Sequence, residues 1–144
     1  MKCICSGTVS NSVQQSTKAC NDGAVRKLRD CLTLANSGSV GITFYHCYEF
    51  IASDHVTALQ SPKLNKYSYI FIATMVKRLQ EKYSFNREIN DVRLNKEKVF
   101  LPVNNEGKPD YAFMEEYIRE REEMLIQKYI IHIRNTSVTI RGGV

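Results

Sequence analysis

Strand-forming segments gathered before residue 61, followed by two stretches of helical apolar spacing, predict an α+β fold: an irregular, mostly antiparallel sheet with a middle helix and a long C-terminal helix. Three observations carry that reading. Residues 30–60 alternate and are rich in β-formers, with turn chemistry breaking them at residues 36–41. Tyr69, Ile72, Val76, Leu79 and Tyr83 recur at three- and four-residue intervals, the period of one helix face. Tyr111, Met114, Ile118 and Leu125 repeat the pattern after a Pro-Asp start signal. A chain of 144 residues is enough for one domain with one core.

In order along the chain, residues 1–25 are rich in Ser, Thr, Asn, Gln and Gly and show neither period, so they are expected to be loosely ordered. Asp-Cys-Leu-Thr-Leu-Ala at residues 30–35 reads as a strand, Asn-Ser-Gly-Ser-Val-Gly at 36–41 as a turn, and residues 42–46 as the next strand. Residues 50–60 are expected to supply a third strand, with Val56 and Ala58 on one face and Thr57 and Leu59 on the other, until Ser61-Pro62 stops it. Asn65 suits an N-cap for the middle helix, which leaves Lys77, Arg78, Glu81 and Lys82 on its surface. Those cations complement the negative end of the helix dipole. Residues 84–90 read as a polar loop, 91–95 as a short helical turn, 98–103 as a strand with Pro102 near an edge or end, and 104–108 as a turn. The second helix is expected from about Asp110 to Ile130 or beyond, with residues 136–144 forming a strand or a free tail.

The formal charge is +5 and the pI about 9.0, an excess compatible with a polyanionic partner. Glu115, Glu116, Glu120, Glu122 and Glu123 crowd the C-terminal third, so a polyanion-binding face is expected before Lys98. Five cysteines leave one unpaired under any internal disulfide scheme, and no charged-then-apolar leader opens the sequence, so a reducing cytoplasmic setting is expected. No apolar run approaches the roughly 18 residues that a bilayer span needs.

Catalytic chemistry finds little support. The glycine turn lacks the following Lys-Ser/Thr and the helix of a phosphate-binding loop. His46, Cys47 and His55 are the nearest approach to a metal-ligand cluster, but without paired Cys-x-x-Cys motifs they read as packed or hydrogen-bonded residues, His55 within a strand. As a nucleophile and its base, Cys47 and His46 are neighbours on a strand and point to opposite faces. Glu106-Gly107-Lys108, with Asp91 as an earlier carboxylate, gives half of a metal-dependent nuclease motif, but on a turn rather than a rigid strand. The Asn/Asp-Pro-Pro-aromatic signature of methyl transfer is absent. No catalytic residue, metal or cofactor is expected. Lys82, Asn86 and Arg87, set around Tyr83, Ser84 and Phe85, offer donors suited to phosphate oxygens and base edges.

The ordered series resembles a known family. It runs from the turn at residues 36–41 through Ile42-Thr-Phe-Tyr-His46, Ser53-Asp-His-Val56, Lys82-Tyr-Ser-Phe-Asn-Arg87 and Leu101-Pro102 to Gly107-Lys-Pro-Asp110. This order, over about residues 30–117, resembles the DNA target-recognition domain of type I, and related type IIG, restriction-modification specificity subunits. Lys82 to Arg87 look like a stretch that usually reads Lys-Tyr-x-Tyr-Gly-Arg; here Phe85-Asn86 replaces the aromatic-Gly pair, and Asn tolerates the positive φ that Gly would adopt.

The resemblance implies a target-recognition-domain-like scaffold that reads double-stranded DNA while a DNA methyltransferase subunit, and a restriction subunit beside it, carry the chemistry. It implies DNA contacts at Ser37, Ser39, Lys82, Asn86 and Arg87, with Lys63 and Lys66 as backbone contacts. The organisation it implies is an N-terminal segment of residues 1–29, poorly ordered or truncated, a recognition core of residues 30–109, and a helix with its tail over 110–144. Complete subunits carry two such domains separated by long helices. A chain with one is therefore expected either as a half-subunit that forms a homodimer or as a truncated product with weak DNA binding. A protein-interaction or regulatory module is the alternative from another class.

Overall fold

A computed structural model describes residues 5–8, 14–15, 27–36, 40–53, 55–83, 89 and 91–141, and the side-chain surroundings of residues 27–36, 40–53, 55–83, 89 and 92–136. Every strand pairing among them is antiparallel. The strands are β1 (Cys5–Thr8), β2 (Gln14–Gln15), β3 (Lys27–Leu28), β4 (Cys31–Ala35), β5 (Thr43–His46), β6 (Phe50–Ile51), β7 (Val56–Gln60) and β8 (Lys98–Leu101). The helices are α1 (Lys66–Val76), continued by a 3₁₀ turn (Lys77–Glu81), a one-turn α2 (Asp91–Leu94) and α3 (Tyr111–Arg141). The central sheet has the order β2-β7-β4-β5, and the pairs β1-β8 and β3-β6 stand beside it.

Strand β4 lies in the middle of that sheet, which is why Cys31, Leu32, Thr33 and Leu34 are all buried. Leu32 opposes Leu59 and Tyr45, and Leu34 opposes Thr57 and Thr43, so these side chains share the face that α1 covers. Tyr45 stacks on Tyr69 at 5.3 Å, and the Thr43 hydroxyl donates to the Ala73 carbonyl at 3.3 Å. Asn65 caps α1 as expected, its side-chain oxygen accepting from the Ser68 N–H at 3.0 Å. Tyr69, Ile72, Val76, Leu79 and Tyr83 are all buried, with Ile89, Leu94, Val99, Leu101 and Met114 completing the core.

The structure corrects three expectations. Residues 50–60 are two strands: β6 pairs with β3, whereas β7 crosses to the central sheet between β2 and β4. The switch falls where Ser53 and a turn at His55 interrupt the apolar run, so His55 is an exposed turn residue and not part of a strand. Residues 136–141 are neither strand nor tail, since α3 continues through them to Arg141. The Thr136 hydroxyl donates to the His132 carbonyl at 2.9 Å, so this β-branched residue is accommodated within the helix. Of residues 1–25, expected to be loose, Cys5–Thr8 pairs with β8 and Gln14–Gln15 with β7, and the rest of that expectation lies outside the described residues. Pairing with a distant strand requires backbone groups, not a local apolar period.

The turn before α3 follows expectation: the Asn104 side chain accepts from the N–H groups of Glu106 and Lys108, and Gly107 takes φ +75°. Asp110 caps α3 by accepting from the Phe113 N–H at 3.0 Å. Met114 is buried and Tyr111 and Ile118 pack on the core, whereas Leu125, Ile126, Tyr129, Ile131 and Ile133 are exposed. No helix among the described residues is long and apolar enough to cross a membrane.

Candidate nucleic-acid interface

Ser37, Ser39, Asn86 and Arg87 lie outside the described residues, but the residues that bracket them are held together. Asn36 ends β4 at a junction of three hydrogen bonds: its N–H donates to the His55 carbonyl at 2.9 Å, its carbonyl accepts from the Ile89 N–H at 3.2 Å, and its side-chain oxygen accepts from the Thr57 hydroxyl at 2.7 Å. On the other side of the glycine turn, the Gly41 N–H donates to the Ala35 carbonyl at 3.1 Å, and the Val40 carbonyl accepts from Gln80 Nε2 at 3.4 Å. Gly41 holds φ +84°, and a Cβ there would stand 2.7 Å from Gln80 Cγ. Only glycine meets both demands without displacing Gln80.

The segment after Lys82 is fastened with equal care. The Tyr83 N–H donates to the Leu79 carbonyl at 3.0 Å, and Ile89, on the far side of residues 84–88, is fully buried. Asn36 is thus tied to Ile89 and Val40 to Gln80, so the described ends of β4 and of the helical segment adjoin.

The three lysines of the expected contact set are placed differently. Lys82 follows the 3₁₀ turn, and its ammonium meets Glu97 at 2.6 Å; the same carboxylate oxygen accepts from the Tyr83 hydroxyl. Glu97 is only 8% exposed, and a carboxylate so far from water needs such partners. Lys66 opens α1 and pairs with Glu122 of α3 at 2.9 Å, while Asn65 donates to Glu115 and Arg119 lies 4.6 Å from the Tyr67 ring centre. Hydrogen bonds from Lys66 and from Arg119 hold the Glu122 and Glu115 carboxyls below the usual carboxylate range. Lys63 is exposed on the turn that closes from Ser61 to Leu64. Lys63 and Lys66 sit at the opposite end of the helical segment from Lys82, roughly 25 Å away by helix rise. The structure therefore does not gather all three lysines at one place.

The remaining candidates have structural partners. His46 Nε2 lies 2.9 Å from the Thr33 hydroxyl and its ring stacks on Phe50 at 4.2 Å, and burial pushes its pKa below the ordinary value. Cys47 is exposed and Cys31 buried, and neither is in a disulfide. Glu106 and Lys108 pair with each other at 2.8 Å on the exposed turn, not on a strand. Sequence reasoning saw Arg78 only as a helix-dipole partner and did not single out Lys98, yet both line an open cleft between α1 and β8. Their spacing relative to Met75 and Phe100 was the available signal, but their meeting across two elements was not.

The described residues define a small antiparallel α+β scaffold in which the end of β4 is hydrogen-bonded to Ile89. The family model of the type I restriction modification DNA specificity domain matches residues 3–129, and the chain belongs to that family. The match begins well before residue 30, in keeping with the pairing of β1 and β2. The Type II restriction enzyme BgcI specificity subunit S.BcgI of Heyndrickxia coagulans is 32% identical over 113 residues, 77% of this chain and 31% of that protein. The chain thus spans less than a third of the relative it matches.

Proposed function

We propose that this chain reads the sequence of double-stranded DNA for a restriction-modification complex, as a specificity subunit or half-subunit whose catalytic partners are separate polypeptides. The observation that supports the reading is the hydrogen bond from Ile89 to Asn36 in a chain of the DNA specificity domain family, since these two residues flank the proposed contact segments in sequence. Ser37, Ser39, Asn86 and Arg87 supply donors to base edges and phosphates from these segments, and Lys63 is a backbone contact in reserve. Lys66 and Lys82 act first as ties to Glu122 and Glu97, since a phosphate must displace or share those carboxylates.

Residues 30–109 carry the reading surface and residues 110–144 the partner surface. The exposed apolar side chains of α3 from Met124 to Ile133 support docking of a methyltransferase subunit there, with a second copy of the chain or a restriction subunit as further occupants. Cys31 and Cys47, neither in a disulfide, fit a cytoplasmic setting. Neither nuclease nor methyl-transfer chemistry belongs to this chain.

Selection from a pool of randomised duplexes by the purified chain tests the reading. Enrichment of a defined motif, with the logarithm of the affinity falling linearly with log salt, is the expected result. The same exposed face of α3 supports the second reading, a protein-interaction module. Tight binding to a methyltransferase subunit with no DNA enrichment would favour that reading and reject the first.

A further inference from the structure

An open cleft of about 360 Å³ runs between the C-terminal end of α1 and β8. On the helical side Met75, Arg78 and Glu81 recur every third residue, the spacing that aligns side chains along a 3₁₀ turn, and Lys82 follows. On the strand side Lys98 and Phe100 lie two residues apart, so both face outward while Val99 and Leu101 enter the core. Lys82 is drawn to Glu97, which leaves Arg78 and Lys98 as the cleft cations with no carboxylate in ion-pair range among the described residues. Phe100, 58% exposed, and Met75 give the cleft an apolar wall.

We propose that Arg78 and Lys98 clamp one phosphodiester of the DNA backbone in this cleft, with the adjoining deoxyribose against Phe100 and Met75. Two cations beside the single carboxylate of Glu81 leave one net positive charge, the match for a singly charged phosphodiester rather than a doubly charged terminal phosphate. An apolar wall beside the anion site suits a sugar–phosphate chain and adds nothing for a free anion. The cleft also adjoins residues next in sequence to the proposed contacts: Gln80, in the same turn as Arg78, donates to the Val40 carbonyl, and Lys82 and Tyr83 precede residue 84. The assignment rests on the DNA-reading function proposed above and adds to it two residues outside both contact segments.

The test measures affinity against salt for the full chain, on a duplex that it enriches from a random pool and on a shuffled duplex of the same composition. For Arg78→Ala/Lys98→Ala we expect a loss of about tenfold on both duplexes, an unchanged ratio between them, and a log-log salt slope shallower by about 1. Glu81→Gln is expected to tighten both duplexes several-fold, and it tests the clamp even where the double variant folds poorly. A wild-type slope in the double variant, or a loss confined to the enriched duplex, would overturn the clamp and leave the DNA-reading function standing. Competition by inorganic phosphate as effective as by duplex at equal phosphate concentration would reassign the cleft to small anions, and loss of a protein partner with DNA binding intact would reassign it to that partner. Absence of salt-dependent binding by the wild-type chain would remove both proposals.

Discussion

At the scale of single residues, Gly41 shows how much of the edge depends on one missing side chain. It combines a positive φ with an approach to Gln80 that leaves no room for a methyl group. Gly41→Ala is expected to destabilise the domain by about 1–3 kcal/mol, read as a lower urea midpoint with an unchanged slope. Adding Gln80→Ala should recover only part of that loss, because the backbone strain remains. Glu97 is the complementary case of a group that is nearly out of water and held by Lys82 and Tyr83. Lys82→Ala leaves that carboxylate short of a partner, and a loss of about 1–3 kcal/mol is expected. If Lys82 is first a tie, the same variant leaves the salt slope of DNA binding close to wild type. A large change of slope with unaltered stability would make it a direct phosphate contact.

At the scale of elements, the contact between α1 and α3 joins a packed layer to a charged one. Met114 and the edge-to-face pair of Phe71 and Tyr117, 5.8 Å apart, supply the apolar layer, and Lys66–Glu122 and Asn65–Glu115 supply the other. Both glutamates titrate below their ordinary value of 4.5 in the folded chain. Their contribution is therefore complete above pH 4.5 and is lost as the pH falls through the lower folded-state values. Acidification below pH 4.5 is expected to loosen the start of α3, seen as faster amide exchange in its first turns, and Glu122→Gln should blunt that response. High salt should mimic it at neutral pH, because these pairs are exposed.

The helices were legible because their signals are local. Asn65 and Asp110 are caps, and the three- and four-residue spacing of Tyr69 to Tyr83 is a face. The sheet was legible only in part. Nothing in residues 50–60 alone distinguishes one long strand from two that serve different partners, and the partner of β1 lies ninety or more residues away at β8. Residues 136–141 were misread because β-branched residues carry strand preference, whereas α3 meets no helix breaker among them.

At the scale of the whole molecule, hydrogen bonds between described residues far apart in sequence, Asn36 with Ile89 and Val40 with Gln80, tie the sheet to the helical layer. Residue types such as Ser39 and Arg87 were readable in the sequence, but the hydrogen bond from Ile89 to Asn36 that joins their segments is a tertiary event. The same reason hid the cleft of Arg78 and Lys98, whose residues come from a helix end and a strand about twenty positions apart. It also separates the lysines: Lys63 and Lys66 looked equivalent to Lys82 in one dimension, and the length of α1 divides them.

The central claim, that the segments rooted at Asn36 and Ile89 read bases together, is tested most directly by comparing the duplex motifs enriched by the wild-type chain, by Ser37→Ala/Ser39→Ala and by Asn86→Ala/Arg87→Ala. The wild-type chain is expected to enrich one motif, and each variant to relax it at positions lying next to those that the other relaxes. Identical motifs from all three proteins, or none from the wild-type chain, would contradict the claim.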